Sequence, residues 1–304
     1  MRIIATIFAA LFGLAYGSFL NVCLSRWPCG ESVVKPRSHC RNCGHTLGWW
    51  ENLPLLSWML LRGRCRRCQA AISWRYPLVE LLVAALWAFA VWKKAQYGID
   101  LNVAVSIIAL LVFYWLLTAL AFLDAENFWL PDNLTLGGLA LGLATHIYFT
   151  FDSLSRSGSL QPLASALGLR LLACAIAAAI ILIIRWLYWL VRRQEGMGLG
   201  DAKLMAMLAA WLGLPGALLS LFLAVMLGAA YALILLVTGG KEKVEEKLTA
   251  QAEVERSSQL DYANPETSWS HTHLPLGTFL CIGGVVSSIY GQRIISAYMH
   301  WAGF

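Results

Sequence analysis

Charge is scarce in this 304-residue chain. Asp, Glu, Lys and Arg make up only 13% of it, whereas 59% is hydrophobic. A soluble domain carries about 25% charged residues. The deficit excludes an ordinary soluble globule, because one core cannot hide so much apolar surface. Lipid is therefore the expected solvent, in keeping with a mean hydropathy of +0.64. Internal repeats are also missing. So is any GxGxxG loop following a strand-like run, which leaves no dinucleotide-type cradle to point to. The net charge of +6 is modest, and the basic residues sit beside apolar spans and in one short loop. That distribution argues against a nucleic-acid partner.

What the chain does have is long apolar runs. A bilayer core takes about 20 such residues as a helix. Residues 3–22, 78–92, 101–123, 133–151, 162–184, 216–238 and 274–291 qualify, and 202–213 is a shorter eighth. The predicted fold class is an all-α polytopic membrane protein of about eight transmembrane helices. Gly137, Gly138 and Gly142 predict close packing in the fourth. The loop 25–77 holds nine Lys/Arg against Glu31 and Glu51; Arg192, Arg193, Lys241, Lys243, Lys247 and Arg256 follow later spans. The positive-inside rule then puts these segments in the cytosol and the N-terminus outside, with Lys93 and Lys94 as the dissent. The start of the chain also has the look of a cleaved signal peptide. Cleavage would export nine basic residues, which argues against it. Residues 239–273 are polar and read as a long cytosolic loop, partly helical at 241–256.

Eight cysteines fall into two groups. Cys23, Cys29, Cys174 and Cys281 are scattered, and in apolar surroundings a cysteine is usually a small core residue. Cys40-Arg-Asn-Cys43 and Cys65-Arg-Arg-Cys68 are paired, with 21 residues between the pairs. Two CxxC turns at this spacing complete a tetrahedron of thiolates, predicting a structural zinc in a small ribbon-like module. The cytosol keeps thiols reduced, so metal is favoured over disulfides. His39 and His45 lie nearby and read as ordinary loop residues.

Ionisable residues beside apolar spans are functional candidates by default. Asp124 ends the third span, and Asp201 opens the sixth in Gly198-Leu199-Gly200-Asp201-Ala202-Lys203. On the topology above both lie at the cytosolic face. Two carboxylates sharing a proton can activate a water and protonate a leaving group, as in aspartic proteases. The plain alternatives are an N-cap for Asp201 and a helix-exit marker for Asp124. Asp132, after Pro131, reads as a plain N-cap. The rival of another class is a transporter or channel whose aspartates relay protons and whose cysteine loop regulates it.

Several strings together resemble the bacterial type IV prepilin peptidases, the leader peptidase/N-methyltransferases of the GxGD aspartic protease family. They are Gly17-Ser18-Phe19-Leu20-Asn21-Val22 with Arg26 and Pro28, and the cysteine loop with Asn52-Leu53-Pro54-Leu55-Leu56-Ser57-Trp58. Ile72-Ser73-Trp74-Arg75-Tyr76-Pro77-Leu78-Val79-Glu80, Asp124 with Leu130-Pro131-Asp132, and the GxGD string with Gly198, Gly200 and Lys203 complete the set. The similarity runs from residue 13 to about 215. It implies a multi-pass enzyme of the bacterial inner membrane. Such an enzyme cuts the basic leader from type IV prepilins and the pseudopilins of type II secretion. It then N-methylates the new terminus with S-adenosylmethionine. Asp124 and Asp201 take the catalytic positions, and methylation is attributed to the N-terminal part. The expected division is 1–98 for the N-terminal helices and cysteine module and 99–304 for the peptidase. Gly17, Asn21, Arg26 and Glu80 are weak candidates for the methyl-donor site; their plain readings are helix packing, snorkelling and a helix-end ion pair. Where the family tends to read Pro-Phe-Gly-Pro, this chain has Leu274-Pro275-Leu276-Gly277-Thr278. That departure is expected to alter substrate fit and to leave the aspartate motifs untouched.

Overall fold

The apolar runs fold as helices that continue past the hydrocarbon core into the flanking polar residues. The computed structural model describes residues 2–98, 100–157, 163–193, 198–237 and 275–303. The long elements are α1 (Arg2–Arg26), α3 (Arg75–Lys94), α4 (Leu101–Asn127), α5 (Asp132–Ser157), α6 (Leu163–Arg192), α7 (Leu199–Val237) and α8 (Leu276–Trp301), with a short α2 (Leu56–Leu60) between the cysteine pairs. Only two isolated β-bridges appear among the described residues. The expected loop 239–273 lies outside them. Asp100 caps α4 by accepting from the Val103 amide at 2.7 Å.

Among the described residues, seven helices are long and apolar enough to cross a membrane. The eighth expected span is found inside α7, which is broken at Gly213 (φ 75°, ψ 172°) with Pro215 just beyond. A left-handed φ there suits glycine, and an added Cβ would lie 3.0 Å from the Arg170 Nη1. The two arms run opposite ways along α8. In the first arm Gly200 and Gly277 both meet Leu130, and Leu208 meets Gly284, so the numbering rises together. In the second, Ser287 donates to the Gly216 carbonyl and Gly283 abuts Ser220, while Gly228 lies near Phe279. The short span is thus the first arm of a hairpin, about 20 Å long at 1.5 Å per residue. Its end is capped from α6: Arg170 donates to the Ala209 carbonyl (3.3 Å) and to His146 Nδ1 (3.0 Å). Such a cap satisfies a carbonyl that the break leaves without a helical partner.

Packing proceeds as a chain of neighbours: α1 on α3, α3 on α4, α4 on α8, α8 on α7, and α7 on α5 and α6. The buried core is Leu117, Leu120, Leu123, Leu204, Met205, Leu208 and Leu280, with Val79 and Leu20 at the α1–α3 seam. Outward-facing Ile4, Phe8, Leu11, Ile183, Trp186 and Leu187 remain exposed, the surface a lipid solvent would cover. Gly138 and Gly142 bring α5 against Met207 and Trp211 as expected, whereas Gly137 meets nothing. Cys23, Cys174 and Cys281 are buried and Cys29 is exposed.

Candidate functional site

Asp124 lies one turn before the end of α4. Phe128 closes that helix in a left-handed conformation, its N–H returning to the Asp124 carbonyl. Asp201 lies in the first turn of α7 and accepts from the Gly198 backbone. Both carboxylates are buried, at 6% and 8% exposure, and the charge of Asp124 acts on Asp201. Leu130 packs against the starts of both α7 and α8 at this site: a Cβ on Gly200 would come within 2.9 Å of it, and one on Gly277 within 3.0 Å. Lys203 turns away to pair with Asp132 at 2.5 Å. Asp132 is the first helical residue of α5 rather than its cap.

The C-terminal departure enters this site directly. Thr278 donates to Asp124 Oδ2 from its backbone N–H (2.7 Å), and its hydroxyl, with a single proton to give, lies between the Ala121 carbonyl (3.0 Å) and the same carboxylate oxygen (3.1 Å). A Cβ on Gly277 would lie 2.9 Å from the Asp124 carboxyl. The expectation that this segment leaves the aspartate motifs untouched is therefore corrected. Contact across 154 residues of sequence is invisible to local motif reading, although the departure itself was the available signal. Cys281, one turn further on and buried, feels the charge of both aspartates.

The cysteine module sits at the same end of the helices, between the end of α1 and the start of α3. Each knuckle is built alike. Cys40 N–H donates to the His45 carbonyl and Gly44 N–H to the Cys40 carbonyl; Cys65 and Gln69 repeat the pattern with Ala70 and Cys65. Gly44 and Gln69 both take positive φ. The four sulfurs lie within 4.8 Å of one another, with Cys40–Cys68 at 3.8 Å and Cys43–Cys65 at 3.9 Å. A tetrahedron with Zn–S bonds of about 2.3 Å has edges of about 3.8 Å, so the donor set fits that ion. The Ala70 amide, with the Asn42 side chain, pulls the Cys68 thiol down to about 6, whereas Cys43, against the pull of the His45 amide, is pushed up to about 11 by burial and the neighbouring thiols. His45 is more than a loop residue, since its Nε2 lies 3.3 Å from Glu51 Oε2.

The weak cofactor candidates all have structural partners. Gly17 lets α1 approach α3, where a Cβ would meet Glu80 Cα at 2.7 Å. Asn21 donates to the Tyr76 carbonyl while its Oδ1 is buried without a hydrogen-bond partner among the described residues, and Arg26 donates to the carbonyls of Ser32 and Pro36. Glu80 accepts from the Leu55 amide rather than from a basic partner. The Arg75 side chain reaches out of this half: Nη1 meets Glu126 at 2.6 Å, two residues past Asp124, and Nη2 meets Ser25 Oγ at 2.7 Å.

Residues 11–94 match the bacterial peptidase A24 N-terminal domain, and residues 111–233 match the type IV leader peptidase family. A Pseudomonas aeruginosa prepilin leader peptidase/N-methyltransferase is 32% identical over 97% of this chain and 93% of its own length. The chain belongs to this family. A protein of the same description from Dichelobacter nodosus is 33% identical over 94% of this chain and 92% of its own. One from Myxococcus xanthus is 37% identical over 77% of this chain and 64% of its own. No solved structure matches. Family membership makes the chain a multi-pass enzyme of the aspartic peptidase kind.

Proposed function

We propose that this leader peptidase cuts the basic leader from type IV prepilins and pseudopilins at the cytosolic face of the inner membrane. It then N-methylates the new amino terminus with S-adenosylmethionine. The observation that carries the reading is the pair Asp124 and Asp201, buried together at the end of α4 and the start of α7. In this reading one carboxylate takes a proton from water as the oxygen attacks the scissile carbonyl. The other gives its proton to the departing amide nitrogen, and the pair is restored with one proton between them. The Thr278 amide already donating to Asp124 Oδ2, with the Thr278 hydroxyl beside it, suits Asp124 to the base and leaves Asp201 the acid.

Residues 1–98 are assigned to methyl transfer and 99–304 to peptide hydrolysis. Zinc, bound by Cys40, Cys43, Cys65 and Cys68, is structural, because four sulfurs leave no open coordination position. S-adenosylmethionine supplies an electrophilic methyl group to the freed amine. That amine exists only after the cut, so cleavage comes first. Purified protein incubated with a prepilin, and the product weighed with and without S-adenosylmethionine, tests the reading. Loss of the leader, followed by a gain of one methyl group only when the donor is present, is the expected result. An intact prepilin would contradict it.

A further inference from the structure

Gly17, Arg26 and Glu80 have partners within the protein, and Asn21 leaves its Oδ1 buried without one. A different cavity, of about 460 Å³, opens on the cysteine module and is lined by His45, Gly48, Trp50, Glu51, Arg66 and Arg67, with Thr46. Its volume falls within the range of small-molecule sites, about 300–1,000 Å³. The Glu51 side chain is only 3% exposed. Its Oε2 accepts from the Gly48 amide at 2.7 Å and meets His45 at 3.3 Å. Its Oε1 is buried and has no hydrogen-bond partner among the described residues. The Gly48 amide first, then His45 and Arg66, hold this carboxyl below its ordinary range, so the orphan oxygen belongs to a carboxylate. An unpaired buried carboxylate oxygen is costly unless a ligand supplies the missing donor.

We infer that this cavity is the S-adenosylmethionine site, an inference that rests on the methyltransferase reading above. The donor carries an amino-acid zwitterion and a flat purine. The free Glu51 oxygen suits an ammonium group. Arg66 and Arg67, on the same wall, suit a carboxylate. The Trp50 indole, already faced by the Arg66 guanidinium at 4.9 Å, offers an aromatic surface to a purine. A simple cation would be repelled by the arginines and a simple anion by Glu51, so the wall selects a ligand bearing both charges. Gly48 and its neighbour Trp49 also line a second cavity, of about 440 Å³, against Ser18, Phe19 and Val22 of α1. The donor site thus shares a wall with a groove that begins at the membrane-facing side of α1.

The test uses the full chain in lipid nanodiscs, with S-adenosylmethionine as titrant in calorimetry. Glu51→Gln should weaken binding by about tenfold or more, the loss expected for one charge-assisted hydrogen bond. Arg66→Ala should weaken it less. Zinc held at one per chain reports that the module is folded in each variant. Hydrogen exchange on the unmutated chain gives an independent readout: the donor should protect residues 45–51 and 65–68. Wild-type affinity in zinc-replete Glu51→Gln, or protection confined to other segments, overturns the site and leaves the methyltransferase reading standing. A wild-type chain that neither binds the donor nor methylates a cut pilin overturns that reading, and the site falls with it.

Discussion

The cysteine module and the aspartate site reach precision by opposite routes. Between residues 37 and 72 the chain has little helix, and two short knuckles aim four sulfurs at one point. Cys65 is the only buried apolar residue in this segment, so a bound ion would do much to fix its geometry. The aspartates instead ride on long helices whose packing is already complete: Leu120, Leu123 and Leu204 beside them are fully buried. In the proposed reading ligation holds one region, whereas helix packing holds the other. The two should therefore fail differently when perturbed.

The largest separation comes from the carboxylates. Asp124→Asn and Asp201→Asn should each lower cleavage by about a thousandfold or more, since a proton-sharing pair fails with either member. The protein should stay folded and zinc-replete, checked by monodisperse elution and elemental analysis. Full leader removal by either variant would remove the aspartate pair from the mechanism. Cys40→Ser or Cys65→Ser should do the reverse. Zinc should fall from one per chain and residues 37–70 should exchange hydrogen faster, while α4 and α7 keep their protection. A metal-free wild-type chain with a fully protected module would sink the account of how this half is held.

A third contrast sharpens the aspartate side. Thr278→Ala removes the hydroxyl shared between Asp124 and the Ala121 carbonyl and keeps the amide; Thr278→Pro removes both. At about 0.5–1.5 kcal/mol net for each hydrogen bond, cleavage should fall by about threefold to tenfold for alanine, and by more for proline. Equal rates in all three would show that these bonds do not orient Asp124. The smallest effect belongs to the bridge between the halves. Arg75 and Glu126 are partly exposed, so their pair is discounted for solvent, and a double-mutant cycle on thermal stability should give a coupling of about 0.5–1 kcal/mol. Arg75→Glu with Glu126→Arg should recover part of what each single change loses. No coupling would mean that the halves touch here without holding one another.

The same division explains what the sequence makes legible. Ligand spacing is local, so Cys40, Cys43, Cys65 and Cys68 can be read directly from two CxxC turns. Asp201 is also legible, because glycines and an apolar helix frame it. The break at Gly213 is half legible. Gly213-Leu214-Pro215 marks an interruption, and the short run 202–213 registers as its own span, but the capping Arg170–His146 pair comes from two other helices. Thr278 and Glu126 are beyond reach, because each acts through a partner far along the chain. Glu51 is missed for another reason: its importance lies in an oxygen left without a partner, and pattern reading registers only the residues that are present.

On the proposed reading, two regions of the chain carry two separable chemistries. The direct measurement gives zinc-replete Asp201→Asn an already cut, unmethylated pilin together with S-adenosylmethionine, and follows methyl incorporation by mass. Hydrolysis needs the aspartates and water, whereas methyl transfer needs a bound donor and a free amine. The account therefore predicts methylation at close to the wild-type rate from a variant that cannot cut. If that variant binds the donor normally and still leaves the cut pilin unmethylated, the two sites are one, and the division of the chain at residues 98 and 99 is wrong.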